Sequence, residues 1–168
     1  MSLFVIFSFI FLLVSCKKEY SNFDKIYYST STCLGTCPEY YLELSRDKSF
    51  KLYAKTVFKK NSSYFDLEFD STKIGYFEGI IEDEIYKNLN NQINIINSPG
   101  YKYNRNQIIT DRQNIKLVVQ RGGDKTCYET FYPTENFQKN VINLLNSVCE
   151  KSDMKIIEKF DIENYGCR

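Results

Sequence analysis

Residues 39–54 read Glu-Tyr-Tyr-Leu-Glu-Leu-Ser-Arg-Asp-Lys-Ser-Phe-Lys-Leu-Tyr-Ala, and this stretch decides the fold class. Apolar and polar side chains alternate on both sides of the polar segment 46–49. A period of two residues is typical of a strand with one buried face, and a short polar interruption is typical of a turn. The stretch therefore predicts two antiparallel strands joined by a tight turn.

Similar alternation predicts further strands on both sides of this hairpin. Glycine and aspartate at residues 121–124 indicate the turn of a second hairpin. The additional predicted strand segments are residues 24–32, 64–69, 73–81 and 114–132, with a last strand near 156–157.

Two segments have helical periodicity instead. Residues 85–96 carry leucine and isoleucine at spacings of three and four, after the acidic residues 82–84, which suit the positive end of a helix dipole. Thr134 is a predicted N-cap for a second helix, whose apolar stripe spans residues 137–148. The order of elements predicts an α+β fold: an antiparallel sheet of about five to seven strands with two helices packed on one face.

An apolar run over residues 3–16 predicts where the protein is located. It ends in Leu13-Val14-Ser15-Cys16, the pattern of a bacterial lipobox, in which the cysteine is acylated after cleavage before it. We therefore expect a signal peptide over residues 1–15, a tether over 16–23 and a single α+β domain over 24–168.

An uncleaved transmembrane anchor is the alternative interpretation of the apolar run. A spanning helix needs about 20 apolar residues, and this run stops at Ser15, with Lys17 and Lys18 directly after Cys16. No Lys or Arg precedes the run, which departs from the usual signal peptide. The lipobox predicts a lipid-anchored protein of the cell envelope, and Lys17 favours the outer membrane over retention in the inner membrane.

Composition excludes several classes of function. The chain has 22 basic and 21 acidic side chains, so it predicts no nucleic-acid partner. It has no histidine, which removes Ser-His and Cys-His catalysis and every histidine-containing metal site. We expect no enzyme activity, no cofactor and no bound metal.

The pair Cys33 and Cys37 is the most reactive feature of the sequence, and three interpretations are open. The pair is a structural disulfide, with Gly35 permitting the bent backbone; a redox or copper site; or part of a thiolate metal site. The spacing resembles that of Sco-type copper chaperones, which also need a distant histidine and a thioredoxin fold. We expect the structural disulfide.

Three other cysteines follow later in the chain. A second disulfide between Cys127 and Cys167 would hold the tail to the sheet, although sequence alone leaves the pairing open. Cys149 borders the apolar stripe of the second helix and is either a core residue or a disulfide partner.

Two acidic clusters are candidates for a calcium or general-acid site. One is residues 82–84, and the other is Asp66, Glu68 and Asp70, which alternate along a predicted strand. Because charged side chains usually stay in water, we expect both clusters to be solvated surface.

The segment Cys33-Leu-Gly-Thr-Cys-Pro-Glu-Tyr40 resembles the C-F-G-T-C-P-x-Y signature of the domain-of-unknown-function family numbered 6438. That family is found largely in envelope lipoproteins. The likeness extends over residues 25–150, including Lys73–Gly79, although the family's D-G turn is here Asp47-Lys48 and residues 64–69 look like an insertion. The resemblance implies no activity, because the family has none assigned.

We therefore expect an envelope lipoprotein whose domain is a noncatalytic binding or structural module. Its partners would be the membrane, through acylated Cys16, and an envelope protein or glycan. The alternative is a thiol-redox or metal-handling envelope protein that uses Cys33 and Cys37.

Overall fold

A computed structural model of the chain describes residues 22–63, 65–97, 111–151 and 153–162. Within these residues, seven strands form one sheet in the order β6-β5-β1-β2-β3-β4-β7, and neighbouring strands are antiparallel throughout. The strands are β1 (Lys25–Thr30), β2 (Glu39–Ser45), β3 (Ser49–Thr56), β4 (Gly75–Ile80), β5 (Ile115–Arg121), β6 (Asp124–Thr130) and β7 (Lys155–Ile156).

Two helical segments accompany the sheet. Helix α1 spans Asp83–Ile96. The second segment, α2, spans residues 135–149 and contains a π-helical stretch at Gln138–Ile142. The side chain of Thr134 accepts a hydrogen bond from the backbone N–H of Phe137 at 3.3 Å, which confirms the predicted N-cap.

The sheet and both helical segments share one hydrophobic core. Strand residues such as Leu42 and Leu52 are buried in the same cluster as Leu89 of α1 and Leu145 of α2. Tyr128 on β6 is also in this cluster. The predicted α+β class is confirmed, with a seven-stranded antiparallel sheet and two helices.

Tyr128 joins the second hairpin to both helical segments. Its hydroxyl donates to the backbone carbonyl of Ile96 in α1 at 3.0 Å. Its ring centroid lies 5.9 Å from that of Phe137 in α2. The predicted hairpin, β5 and β6 with its turn at Gly122, is therefore fixed to the rest of the domain.

The turn between β2 and β3 places a lysine where the backbone suits glycine. Lys48 has a positive φ of 71°, a conformation that glycine adopts without strain. Asp47 stabilises the turn, because its carboxylate accepts hydrogen bonds from the backbone N–H of Ser49 at 3.0 Å and from the Ser49 hydroxyl at 2.6 Å.

The strand predicted over residues 64–69 was wrong. Tyr64 lies outside the described residues, and the neighbouring segment makes only the isolated bridges Phe58–Phe69 and Ser63–Asp66. Phe65 is 94% exposed, so the alternating apolar side chains of this segment do not face the core. Alternation predicts a strand only where one face is buried, and this segment has no such face.

Candidate binding groove on the tyrosine face

The strand register places three tyrosines side by side across the sheet. Tyr41 on β2 pairs with Tyr53 on β3, which pairs with Tyr76 on β4. The ring centroids are 5.8 Å apart for the first pair and 4.5 Å for the second, with interplanar angles of 19° and 12°. We call Tyr41, Tyr53 and Tyr76 the tyrosine ladder; directly opposed residues in antiparallel strands project from the same face.

The ladder stops at β1. Tyr41 pairs with Ser29, and Ser29 pairs with Lys116 on β5. The small side chain of Ser29 therefore lies between the Tyr41 ring and the side chain of Lys116. We call the space over Ser29, between Tyr41 and Lys116, the slot.

The slot belongs to a larger concavity, which we call the tyrosine groove. Its volume is about 470 Å³, within the range of small-molecule sites. Its lining includes Tyr27, Ser29, Tyr41, Tyr53, Lys116 and Asp161.

The tail of the chain forms one wall of the tyrosine groove. The backbone N–H of Ile157 donates to the carbonyl of Tyr76 at 2.9 Å, next to the short strand β7. Phe160 then packs edge-on against the Tyr76 ring, with centroids 5.4 Å apart, and lines the groove. Lys51 lies over the same Phe160 ring at 5.7 Å. The predicted tail strand is therefore present at Lys155–Ile156, and it directs the following residues across the tyrosine face.

Glu39, two residues before Tyr41 on β2, holds two side chains of the groove by hydrogen bonds. It is only 8% exposed, and its Oε1 accepts hydrogen bonds from the Tyr41 hydroxyl and from Nζ of Lys55, both at 2.9 Å. Burial and the hydrogen bond to Glu39 raise the pKa of Tyr41, and the same carboxylate raises the pKa of Lys55. Tyr41 therefore stays neutral and its ring is held in place at the edge of the slot.

Charges of both signs surround the slot. Glu43 forms a salt bridge with Lys25, and Lys55 forms one with Glu39. Among the described residues, Lys116 and Asp161 line the groove without forming a salt bridge. The groove thus offers aromatic faces together with hydrogen-bond donors and acceptors.

The Cys33–Cys37 pair lies in the loop that joins β1 to β2. The two cysteines are joined by a disulfide, with Cα atoms 5.5 Å apart, and Gly35 between them has a φ of 140°. Pro38 closes the loop, because its carbonyl accepts hydrogen bonds from Thr30 Oγ1 at 2.8 Å and from Gln113 Nε2 at 2.7 Å. The loop therefore connects Ser29 to the strand that carries Tyr41.

Two of the remaining cysteines, Cys127 and Cys149, lie in the described part of the chain. Cys149 is free and 4% exposed, and burial raises the pKa of its thiol well above the ordinary value, which fits its role as a core residue. Cys127 is disulfide-bonded, and the partner predicted for it, Cys167, lies outside the described residues. Cys16, the predicted lipidation site, also lies outside them.

The acidic clusters make local ion pairs. Glu68 pairs with Lys59 at 2.6 Å, and Asp83 with Lys48 at 2.8 Å. Asp70 accepts a hydrogen bond from the Thr72 hydroxyl at 2.5 Å. Among the described residues, there is no group of three or more His, Cys, Asp or Glu that could hold a metal ion.

The described residues define an α+β domain with an aromatic groove on its sheet. A family model with the description Domain of unknown function (DUF6438) matches residues 24–150, so the chain belongs to this family. The predicted family resemblance is confirmed, whereas the lipoprotein character stays a prediction. Searches of curated proteins and of solved structures found no match to the chain.

The segment that the family model matches does not include the whole groove. Phe160, Asp161 and Ile162 line the groove but follow the matched residues 24–150. In the part of the chain that the structure describes, no helix is long and apolar enough to cross a membrane.

Sequence reasoning identified the cysteines but missed the tyrosine groove. Tyr41, Tyr53, Ser29 and Lys116 are far apart in sequence and meet only through the order and register of β5, β1, β2 and β3. One local signal was present: Tyr41 alternates with Glu43 on the polar side of its strand. A tyrosine at such a position indicates a partly exposed aromatic surface.

Proposed function

We propose that this protein is a bacterial envelope lipoprotein whose domain is a noncatalytic binding module. The apolar run ending at Cys16 supports an acylated anchor and a cell-envelope location, and Lys17 supports the outer membrane. The partner is an envelope protein or glycan, and the membrane is reached through the lipid.

The observation that carries the proposal is the tyrosine groove. Binding sites are concave, and they combine large apolar or aromatic area with a few placed polar groups. The groove has this character, because Tyr41 and Tyr53 supply ring area while Lys116 and Asp161 supply charge. Tyrosine is also suited to recognition, since it presents a rigid apolar ring and a polar tip.

The proposal includes an arrangement with both helices on one face of the sheet and the groove on the other. The buried side chains of β1 support it, because the Tyr28 hydroxyl donates to Oδ1 of Asn146 in α2 at 2.8 Å. The side chains of the neighbouring residues Tyr27 and Ser29 are only partly buried, and both residues line the groove. Successive side chains of a strand project to opposite faces, so binding and core packing use different residues.

The chemistry of the chain supports binding rather than catalysis. With no histidine, a general base near neutral pH would have to be a carboxylate or lysine with a strongly shifted pKa. In the groove, Glu43 and Lys55 are each held by an oppositely charged neighbour, and the shift at Lys55 is upward, away from neutral pH. Such pairing favours a fixed polar surface for a ligand.

The anchor is tested with Cys16→Ser in bacteria that process lipoproteins. The wild-type protein is expected to carry lipid on residue 16 and to partition into the detergent phase, as measured by mass spectrometry and phase separation. The variant is expected to stay unprocessed or to become soluble. A variant that is still cleaved and still membrane-bound would overturn the anchor.

The binding module is tested by co-purification from solubilised envelope. Ser29→Tyr fills the slot and is expected to abolish recovery of the bound envelope component. Ser45→Tyr makes the same change on β2, on the same face of the sheet but outside the groove, and is expected to leave recovery unchanged. Equal recovery with both variants, at unchanged folding, would refute the groove as the binding site.

A further inference from the structure

The stacking order of the tyrosine ladder indicates what kind of ligand the groove takes. The rings of Tyr76, Tyr53 and Tyr41 follow one another across three strands at spacings of 4.5 and 5.8 Å. Tyr53 covers one face of the Tyr41 ring, so the other face is turned toward β1. The residue in register there is Ser29, whose side chain carries no ring.

The slot has the width of one ring. Neighbouring strands lie about 4.8 Å apart, so a ring over Ser29 would lie about 4.8 Å from Tyr41. That separation falls between the two spacings within the ladder. A ligand ring in the slot would therefore continue the stack at the position where the sequence has serine.

We infer that the slot binds a pyranose ring of a saccharide, stacked on Tyr41 over Ser29; this inference rests on the proposed function. A pyranose has an apolar face of C–H groups for the tyrosine ring. Its edge carries hydroxyls that both donate and accept hydrogen bonds. Lys116 and Asp161 line the groove and provide one donor group and one acceptor group for those hydroxyls.

The charges of the groove favour a saccharide over an apolar aromatic ligand. An aromatic molecule would offer no hydrogen-bond partner to Lys116 or Asp161 where it displaces their water, and leaving charge unpaired is costly. The hydroxyls of a saccharide would replace the water contacts that Lys116 and Asp161 lose. Because these two side chains have opposite charge, they also favour a neutral saccharide over a polyanion.

The test uses the purified full chain on an array of bacterial oligosaccharides that includes peptidoglycan glycan fragments and lipopolysaccharide core sugars. At least one pyranose oligosaccharide is expected to bind. Titration of that oligosaccharide is followed through tyrosine emission, which is accessible because the chain has no tryptophan. Tyr41→Ala is expected to weaken binding about tenfold, and Tyr41→Phe, which keeps the ring, is expected to bind within about threefold of wild type.

Ser29→Tyr provides an independent variant, because it adds a ring to the slot without removing a contact of the ladder. It is expected to abolish saccharide binding while thermal unfolding stays cooperative. Absence of any array binding, or equal weakening by Tyr41→Ala and Tyr41→Phe, would overturn the inference. If the array is negative but Ser29→Tyr still blocks co-purification of an envelope protein, the saccharide is refuted and the binding module stands.

Discussion

At the scale of single residues, Gly79 provides room for an aromatic side chain. It faces Phe50 across β3 and β4, and Phe50 is 2% exposed. A Cβ at position 79 would lie 2.7 Å from Cζ of Phe50, closer than non-bonded atoms approach. Close packing of the Phe50 ring therefore explains why position 79 is a glycine.

Gly79→Ala is expected to lower the free energy of unfolding by about 1–3 kcal/mol, because the Phe50 ring must move within a packed core. Gly123→Ala is the matched control: no heavy atom lies within 4 Å of its Cβ position. We expect a change of about 0.5 kcal/mol or less there. Urea unfolding followed by circular dichroism measures both, and an unchanged Gly79→Ala variant would contradict the packing argument.

Three buried groups make the free energy of unfolding change with pH in the alkaline range. Burial is the main cause that raises the pKa of Tyr28, Tyr40 and Cys149 above their ordinary values of 10.0, 10.0 and 9.0. In the unfolded chain these groups lose their protons at the ordinary values, while the folded chain retains them. The stability that these three groups contribute is therefore fully present below about pH 9, and it declines as the pH rises above that value.

We expect the free energy of unfolding to fall as the pH rises from about 9 to 11. Tyr28→Phe removes one titrating group and the hydrogen bond to Asn146. It should be less stable than wild type near neutral pH and should show a shallower decline at high pH. Urea unfolding at a series of pH values measures how steeply the free energy of unfolding declines in wild type and in Tyr28→Phe. A free energy of unfolding that stays constant over this range would contradict the raised pKa values.

At the scale of elements, the Cys33–Cys37 loop sets the path of the chain from β1 to β2. The disulfide closes a short loop, and Pro38 is held by Thr30 and Gln113. A bridge across so few residues removes little entropy from the unfolded chain. Its contribution is about 2 kcal/mol, the low end for disulfides.

Cys33→Ser is expected to lower the free energy of unfolding by about 2 kcal/mol and to leave envelope co-purification intact where the protein stays folded. Alkylation of Cys33 and Cys37 across a redox series is expected to show a bridge that resists mild reductants, with a potential below about −300 mV. A redox site would behave differently: the bridge would reduce easily, and replacing both cysteines would abolish function without lowering stability. Those results would favour the thiol-redox alternative.

Periodicity predicted the elements whose signal is local. The strands near Leu42 and Leu52 bury the side chains that their period indicated. The helix with Leu89 does so as well, except that Ile85 is only partly buried. The pattern failed near Phe65, because alternation there is not accompanied by a buried face. Strand order and register depend on contacts between distant segments, so the pairing of Ser29 with both Tyr41 and Lys116 was not visible in the sequence.

At the scale of the whole molecule, the tail determines the shape of the groove. Phe160 and Asp161 lie beyond the segment that the family model matches, and both line the groove. The sheet provides the tyrosine ladder, and the tail adds a wall to it. The wall would make the ligand preference of this chain depend on residues outside the matched domain.

Radical footprinting of tyrosines in intact envelopes measures whether the groove is occupied at the location proposed for the protein. The purified chain and the envelope preparation are labelled under the same conditions, and modification at each tyrosine is measured by mass spectrometry. We predict lower labelling of Tyr27, Tyr41 and Tyr53 in the envelope, with unchanged labelling of Tyr132, which does not line the groove. Equal labelling of the groove tyrosines in both preparations would contradict the account.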